Sequence, residues 1–214
     1  MTRPGTFDRV YAGLKERLRL GSFQPGDRLE PAVLSEELNA SVTPVRDALH
    51  RLTGERLVEA PRHEGFRVPL LTETMLRHLY AWHRDLVTIA ILNRQNTPPG
   101  DEAGESVDPL EEPFERQNGL FLALVRRGGN PEHIAALEGL MTRLQPVQRF
   151  EGELLDALEP ETEEILVALR TGNRTALKRS LKSYHRRRAR IVPLLIERLY
   201  AAEGRTSEAM KAGH

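Results

Sequence analysis

The sequence predicts a mainly α-helical protein in which an amino-terminal winged helix-turn-helix is followed by an all-α helical bundle. Over the first 70 residues, three segments with helical apolar spacing precede two short strand-like runs. From Thr72 onward helical spacing continues and no strand pattern is evident. We therefore expect one domain over residues 1–70, a second over residues 71–204 and a flexible tail over residues 205–214.

The composition excludes several kinds of chemistry. The 214-residue chain has no cysteine, which excludes disulfides, thiolate metal sites and cysteine nucleophiles. Its 31 basic and 31 acidic residues cancel, so any nucleic-acid binding depends on where the basic residues lie. No apolar run approaches the roughly 20 residues that span a bilayer, and the amino terminus lacks a signal peptide's apolar core. We expect a cytoplasmic protein without membrane contact.

The first helix is predicted over residues 6–20, where apolar side chains recur at helical spacing and Thr6 can cap the amino terminus. A proline-glycine turn separates it from a short second helix over residues 30–40. Pro31 stands at the first helical position, which proline favours because it has no backbone N–H to leave unpaired.

The third helix follows after a tight turn, with Thr43 predicted as its N-cap and Pro44 as its first residue. The runs LVEA and FRVP, on either side of a polar loop over residues 61–65, then indicate a β-hairpin. A short helix, a turn and a capped helix form a helix-turn-helix, whose second helix presents its first residues to the major groove of DNA. Two ordinary packed helices would give the same pattern.

Particular residues decide between these two interpretations. The strings GSFQPGDRL, LSEELNASVTPVRDALHRL and ERLVEAPRHEGFRV resemble the DNA-binding domain of the GntR family of bacterial transcription regulators, over residues 8–68 without a gap. The resemblance implies a homodimeric regulator, not an enzyme, that binds a palindromic operator in double-stranded DNA. It also implies a repressor that responds to a small organic effector. No nucleophile elbow, phosphate-binding glycine loop or HExxH motif suggests catalysis.

The candidate DNA contacts lie at the start of the third helix and at the hairpin tip. Arg46 is the first candidate for a base edge, and Ser41 and Thr43 can hold phosphates through their hydroxyls. Arg51 either reaches the DNA backbone or is solvated. Arg62 and His63 either enter the minor groove as a wing or belong to a solvated loop.

Two positions depart from the family pattern. Val42 stands where the family has an arginine, and Ala32 stands where some relatives carry a basic residue. Each arginine lost from a base contact removes about 1–3 kcal/mol of discrimination. We expect weaker or different operator preference than in relatives. The alternative is a degenerate family member that serves as a protein-interaction or dimerisation module without strong DNA binding.

The second domain is predicted as helices separated by turn signals. The predicted spans are 71–95, 110–127, 131–149, 151–170 and 174–202, with a loop over residues 96–109. The segments LYAWHRDL, NGLFLALVRRGGNPEH and EEILVALRTGNRTALKRSLKSYH resemble the FCD domain of the FadR-type branch of the family. Most such domains hold a divalent metal with one aspartate and three histidines.

None of the four implied metal ligands is present. The corresponding positions carry Asn118, Leu122, Thr162 and Tyr184, so we expect no metal cofactor. His185 follows the last position, but one residue is about 100° of helix rotation, so its side chain is predicted to point away. A rearranged site built from His83, His133 or His185 is the alternative.

The same positions suggest a different ligand. His83, Asn118, Thr162 and Tyr184 are predicted to converge as neutral polar groups in an apolar cavity, which suits an uncharged or weakly polar organic effector. Alternatively, the domain binds nothing and only dimerises. The run HRRRAR over residues 185–190 is either a second nucleic-acid patch or a solvated face. A further alternative is that its arginines pair with acids such as Glu161, Glu163 and Glu164.

Overall fold

The computed structural model describes residues 5–93 and 113–212. Over these residues the chain is mainly α-helical, as predicted, and it divides into two compact units, Met1–Leu71 and Thr72–His214. The predicted loop over residues 96–109 lies outside the described residues, as do the adjoining ends of the helices predicted on either side of it.

The amino-terminal unit has three helices and two short strands among its described residues. They are α1 (Thr6–Arg19), β1 (Arg28–Leu29), α2 (Pro31–Glu37), α3 (Val42–Gly54) and β2 (Phe66–Arg67). Helices α1 and α2 both pack against α3. Their apolar faces enclose one core, because the buried stripe of α3 meets Val10 and Leu14 of α1 and Leu34 of α2. The predicted helix-turn-helix is thereby confirmed.

Two predicted helix caps are wrong. Helix α1 begins at Thr6 itself, with Gly5 as its N-cap. Helix α3 begins at Val42 with Ser41 as its N-cap, so Thr43 is already the second helical residue. The N-caps lie one residue (Gly5) and two residues (Ser41) before the predicted ones. Neither residue caps its helix with a side-chain hydrogen bond.

The wing is smaller than predicted and is paired differently. Strand β2 runs antiparallel to β1, with Arg28 opposite Arg67 and Leu29 opposite Phe66. The predicted hairpin is reduced to a single bridge, in which Glu59 and Arg67 exchange backbone hydrogen bonds of 2.8 and 2.9 Å. Strand β1 was not predicted, because a strand of two residues is too short to show alternation.

The carboxy-terminal unit is all-helical over its described residues. Its helices are α4 (Glu73–Asn93), α5 (Pro113–Arg126), α6 (Pro131–Gln148), α7 (Glu151–Leu154), α8 (Leu158–Arg170) and α9 (Arg174–Ala212). Helix α9 packs against α4 and α8, and α5 packs against α4, α6 and α8. No helix in the described ranges is long and apolar enough to span a bilayer.

Two predicted boundaries in this unit need correction. The single helix predicted over residues 151–170 is broken, because Ala157 adopts a left-handed backbone conformation (φ 58°) between α7 and α8. Helix α9 continues to Ala212, beyond its predicted end at residue 202 and into the segment predicted as a flexible tail. The side chain of Glu151, at the start of the short helix before this break, is fully buried in the bundle.

Candidate DNA-binding surface and the polar interior of the bundle

The start of α3 presents hydroxyl groups and backbone amides to solvent. Ser41 and Thr43 are both exposed, and the Ser41 side chain forms no cap hydrogen bond. The first N–H groups of a helix have no partner within the helix and attract anions such as phosphate. Val42 lies between the two hydroxyl residues and is 39% exposed, so it does not pack into the domain core.

Arg46 and Arg51 differ in how they are held. Arg46 is exposed one position after buried Val45, and it makes no ion pair within the described part of the chain. The guanidinium of Arg51 instead lies 4.2 Å above the ring of Tyr11, with its Nε 3.6 Å from Glu55. Arg46 is therefore free to reach DNA, whereas Arg51 links α3 to α1.

The turn of the helix-turn-helix is fixed by a residue that the sequence analysis missed. Arg9 of α1 donates hydrogen bonds to the backbone oxygens of Leu38 (2.6 Å) and Asn39 (3.0 Å). Asn39 has a left-handed backbone (φ 48°), which lets the chain reverse between α2 and α3. Arg9 thus holds the turn that sets the direction of α3.

The predicted wing residues lie at the tip of the bridge between residues 59 and 67. Arg62 and His63 are exposed, and the turn is closed by the Glu64 N–H, which donates to the Pro61 oxygen at 3.2 Å. Neighbouring Arg67 is not free, because its guanidinium pairs with Glu59 and Glu64 at 3.1 and 3.2 Å. Arg62 and His63 are therefore the candidate DNA-contacting side chains at this tip.

The four residues predicted to bind an effector are all buried in the bundle, and two of them, Asn118 and Thr162, have both hydrogen-bond donors and acceptors as partners. The side-chain amides of Asn118 and Gln148 exchange hydrogen bonds of 2.9 and 3.2 Å. The Thr162 hydroxyl accepts from Gln117 at 2.9 Å and donates to the Leu158 oxygen at 2.8 Å. A groove of about 630 Å³ lies between α8 and α9, and none of the four residues lines it.

His83 and His185 form a buried pair, so the prediction that His185 points away is wrong. Nδ1 of His185 lies 2.7 Å from the Leu181 oxygen, which can only accept, so Nδ1 carries the proton. Its Nε2 therefore accepts from Nδ1 of His83, at 2.9 Å. Nε2 of His83 remains an acceptor without a partner among the described residues. Burial lowers the pKa of His83 well below its ordinary value and that of His185 to about 4.

The centre of the bundle is an ionic cluster that the sequence analysis also missed. Arg188 is fully buried, with Nη2 2.8 Å from Glu151 and Nη1 2.7 Å from Glu161. It also donates to Gln117 at 2.9 Å, and its guanidinium carbon lies 3.5 Å from the centre of the Tyr184 ring. Within the basic run, Arg187 and Arg188 pair with the predicted acid Glu161, Arg188 as an interior charge, whereas Arg186 and Arg190 are exposed.

Charges in this cluster stabilise one another against burial. Burial alone would lower the pKa of Arg188, but Tyr184, Glu151 and Glu161 raise it above its ordinary value, so the guanidinium stays charged. Burial raises the pKa of Glu151, against the opposing effect of Arg188 and of the Tyr80 hydroxyl that donates to it at 2.8 Å.

The side chains at the family's metal positions do not fit a divalent cation. Asn118 is held by Gln148, Leu122 has no donor atom, and burial raises the pKa of Tyr184, which keeps its phenol protonated. Over the described ranges, no group of three or more histidines and carboxylates is arranged to hold a metal ion. The buried positive charge of Arg188 would also repel a cation nearby.

A winged helix-turn-helix with an exposed recognition helix, followed by an all-helical unit, defines a DNA-binding transcription regulator. The chain belongs to the GntR family: the model of bacterial regulatory proteins of the gntR family matches residues 6–68. The HTH-type transcriptional regulator McbR of Escherichia coli (strain K12) is 30% identical over 164 residues, which cover 71% of this chain and 73% of McbR. The family resemblance is thereby confirmed, and these relatives are regulators and not enzymes.

Other known proteins match this chain over a shorter span or in fold alone. The repressor GlaR of E. coli (strain K12) is 34% identical over 70 residues, covering 33% of this chain and 32% of GlaR. The solved structure of E. coli McbR/YncC has a TM-score of 0.70 at 24% identity, covering 90% of this chain and 99% of that one. A putative GntR regulator from Rhodococcus sp. RHA1 has a TM-score of 0.73 at 22% identity, covering 87% and 96%. These two likenesses concern the fold.

Proposed function

We propose that this regulator is a repressor of the FadR-type branch, acting in the cytoplasm as a homodimer on a palindromic operator and responding to a small organic effector. The observation that supports it most is the start of α3, where Arg46 is exposed close to the hydroxyls of Ser41 and Thr43 and has no ion-pair partner among the described residues. One relative that matches about a third of the chain, GlaR, is described as a repressor.

The homodimer and the palindrome follow from the small contact surface of one recognition helix. A single helix in the major groove reads only a few base pairs, so regulators of this class double their contacts with a second copy. A two-fold dimer requires a two-fold operator, with half-sites about one helical turn apart. Arg62 and His63 then contact the minor groove beside each half-site.

The effector is proposed to bind beside His83, on the surface of the Phe121 and Tyr184 rings. Nε2 of His83 is a buried acceptor with no partner among the described residues, and buried acceptors are normally satisfied. The ring of Phe121 lies edge-on to His83, and the ring of Tyr184 stacks on it. An uncharged molecule that donates one hydrogen bond fits this chemistry, with Asn118 and Thr162 contributing by exchanging partners.

We also propose that the bundle works without a metal cofactor, because the charge at its centre is supplied by Arg188. Elemental analysis of purified full-length protein tests this proposal. We expect less than a tenth of an equivalent of zinc, manganese or nickel per protein chain. We also expect that a chelator leaves the Tm unchanged. A stoichiometric metal that is retained on dialysis would contradict it.

The proposed function is tested by operator selection and a binding assay. Random duplexes enriched on the full-length protein should converge on a palindrome. On that operator Arg46→Ala should weaken binding by about 5- to 150-fold, the factor for a lost arginine-base contact. Arg51→Ala is the comparison variant, and its operator affinity should fall only as far as its lower folding stability reduces the fraction of folded protein. Failure to enrich any sequence would contradict operator recognition.

One observation favours a second candidate, a family member that associates with other proteins without strong DNA binding. Val42 leaves an apolar side chain exposed at the position where an arginine is expected. Salt dependence separates the two candidates, because phosphate contacts release counterions and make log K fall with log salt. A binding curve without salt dependence, or no binding at micromolar protein, favours the second candidate.

A further inference from the structure

Helix α4 carries an exposed apolar stripe on the side turned away from the bundle core. Met75, Trp82, Ile89 and Leu92 are between 37% and 60% exposed. The first three recur every seven residues and Leu92 follows Ile89 by three, which is the spacing of a helix that packs on another helix. The other side of α4 is buried, including Leu76, Leu79 and Val87. Large exposed apolar side chains scattered singly are ordinary, but a continuous stripe along one helix marks an interaction surface.

The polar residues on this stripe identify its partner. His78 and Asp85 occupy the remaining positions of the repeat, and both are exposed. Met75 lies seven residues before Trp82, and Ile89 lies seven residues after it. His78 lies four residues before Trp82, and Asp85 lies three residues after it. An antiparallel copy of the same helix, centred on Trp82, therefore places Met75 against Ile89 and His78 against Asp85.

We propose that the stripe from Met75 to Leu92 pairs antiparallel with the same stripe of a second copy of this chain, with the two-fold axis at Trp82. The inference rests on the proposed homodimer and names the surface that forms it. Apolar side chains face apolar ones, and the carboxylate of Asp85 faces the imidazole of His78, twice by symmetry. Parallel pairing would instead place Asp85 opposite Asp85, and like charges destabilise such a contact.

Charges around the polar pair agree with this register. Arg84 already contacts Oδ1 of Asp85 at 3.0 Å on its own helix, so the carboxylate is held at the edge of the stripe. Thr74, Ala81 and Thr88, which flank the stripe, are small and let a second helix approach closely. Arg77 lies on the same flank as Thr74 and Ala81, but it donates to the Ala189 oxygen of α9 at 2.8 Å, which keeps it away from the stripe.

The first test uses the full-length chain and its oligomeric state by light scattering. Trp82→Glu places two carboxylates at the axis and should raise the dimer dissociation constant at least about 30-fold, the effect of losing an interface hot spot. Leu194→Glu is the matched control, since Leu194 is 46% exposed on α9 and lies outside the stripe. Circular dichroism checks that both variants remain helical.

The second test reads the register from paired charges. His78→Asp alone places two acids together and Asp85→Lys alone removes the acid, so each should weaken the dimer. The double variant with both substitutions recreates an opposite-charge pair across the axis and should restore it. A double variant no tighter than the single ones would overturn the antiparallel register.

Cysteine placement gives an independent measure of direction, because the natural chain has none. Trp82→Cys should form a covalent dimer on mild oxidation. Ile89→Cys should not, since two copies of residue 89 lie about 21 Å apart in an antiparallel pair, but Met75→Cys combined with Ile89→Cys should. Crosslinking of Ile89→Cys alone would show parallel pairing and overturn the proposal.

The outcomes separate this inference from the proposed homodimer. If Trp82→Glu remains as dimeric as the natural chain, the stripe is not the interface, although the homodimer stands. If the natural chain is monomeric at about 100 µM, a concentration far above typical dissociation constants of stable dimers, both are overturned. Trp82 is the chain's single tryptophan, so its emission should shift to the red when the dimer is diluted.

Discussion

Nη2 of Arg188 lies 2.8 Å from Oε2 of Glu151, and neither side chain is exposed to solvent. The two residues come from helices α9 and α7, so the ion pair joins the last long helix to the short helix before the Ala157 break. Such a pair costs much desolvation energy, and removing one partner leaves the other as an uncompensated buried charge.

Replacing Arg188 by methionine is therefore expected to destabilise the bundle by about 3–5 kcal/mol, because it leaves buried carboxylates without a counter-charge. Urea unfolding followed by Trp82 emission measures this loss. Arg186→Met is the control, since Arg186 is exposed two residues earlier and should change stability by less than about 0.5 kcal/mol. Adding Glu151→Gln to Arg188→Met should recover part of the loss, and an unchanged double variant would argue against a direct pair.

The buried histidine pair predicts that the bundle loses stability in mild acid. The pKa of His83 lies well below its ordinary value and that of His185 falls to about 4, so the unfolded chain takes up protons first as pH falls below about 6.5. Folding is then penalised between about pH 6.5 and 4, by up to about 3 kcal/mol from His185 alone. Urea midpoints at pH 7, 6 and 5 measure the slope.

Two variants identify the source of that slope. His185→Phe removes one titrating group and should flatten the dependence on pH, whatever its effect on absolute stability. His63→Gln removes an exposed histidine from the other unit and should leave the slope as it is. Equal slopes in all three proteins would mean that buried histidines do not govern acid stability.

An arginine at position 42 is expected to tighten operator binding. Val42 is exposed at the start of the recognition helix, so Val42→Arg adds a cation without disturbing the core. A new base contact would strengthen specific binding by about 5- to 150-fold, whereas a phosphate contact would steepen the salt slope by about 0.9. Leu20→Arg, a new charge at an exposed site following α1, should change neither quantity. Weaker binding by Val42→Arg would indicate that the valine itself contacts the DNA.

Local signals were enough to predict the three helices of the amino-terminal unit, but not its strand pairing. Pro31 and the apolar spacing located α2 and α3, and the same spacing located most helices of the bundle. The break at Ala157 was missed although Pro160 lies in the first turn of α8, where proline is typical of a helix start.

The interior of the bundle depends on contacts that are distant along the chain. Arg188 belongs to a basic run of a kind that is usually solvated, and its burial depends on Gln117, Glu151 and Glu161, which lie 71, 37 and 27 positions before it. The orientation of His185 likewise required the position of His83 on another helix. Apolar periodicity identifies which residues share one face of a helix, but it does not identify the residues on other helices that this face contacts.

The contact of Arg9 with the helix-turn-helix turn gives the last prediction. Arg9→Met removes two hydrogen bonds, to the oxygens of Leu38 and Asn39, and should cost about 1 kcal/mol of stability at this exposed position. Operator affinity should fall further than that loss explains, because α2 and α3 no longer keep one fixed angle. The salt slope should be unchanged, since a side chain engaged with carbonyl oxygens contacts no phosphate.

Arg17→Met is the matched control for that measurement, because Arg17 lies on the same helix and pairs with Glu37 of α2 in an exposed salt bridge. Exposed pairs of this kind contribute about 0–1 kcal/mol, so the variant should bind the operator nearly as the natural chain does. If Arg9→Met lowered the salt slope by about 0.9, the value for one phosphate contact, Arg9 would contact the DNA directly. If it bound the operator with unchanged affinity, the turn would be held without it.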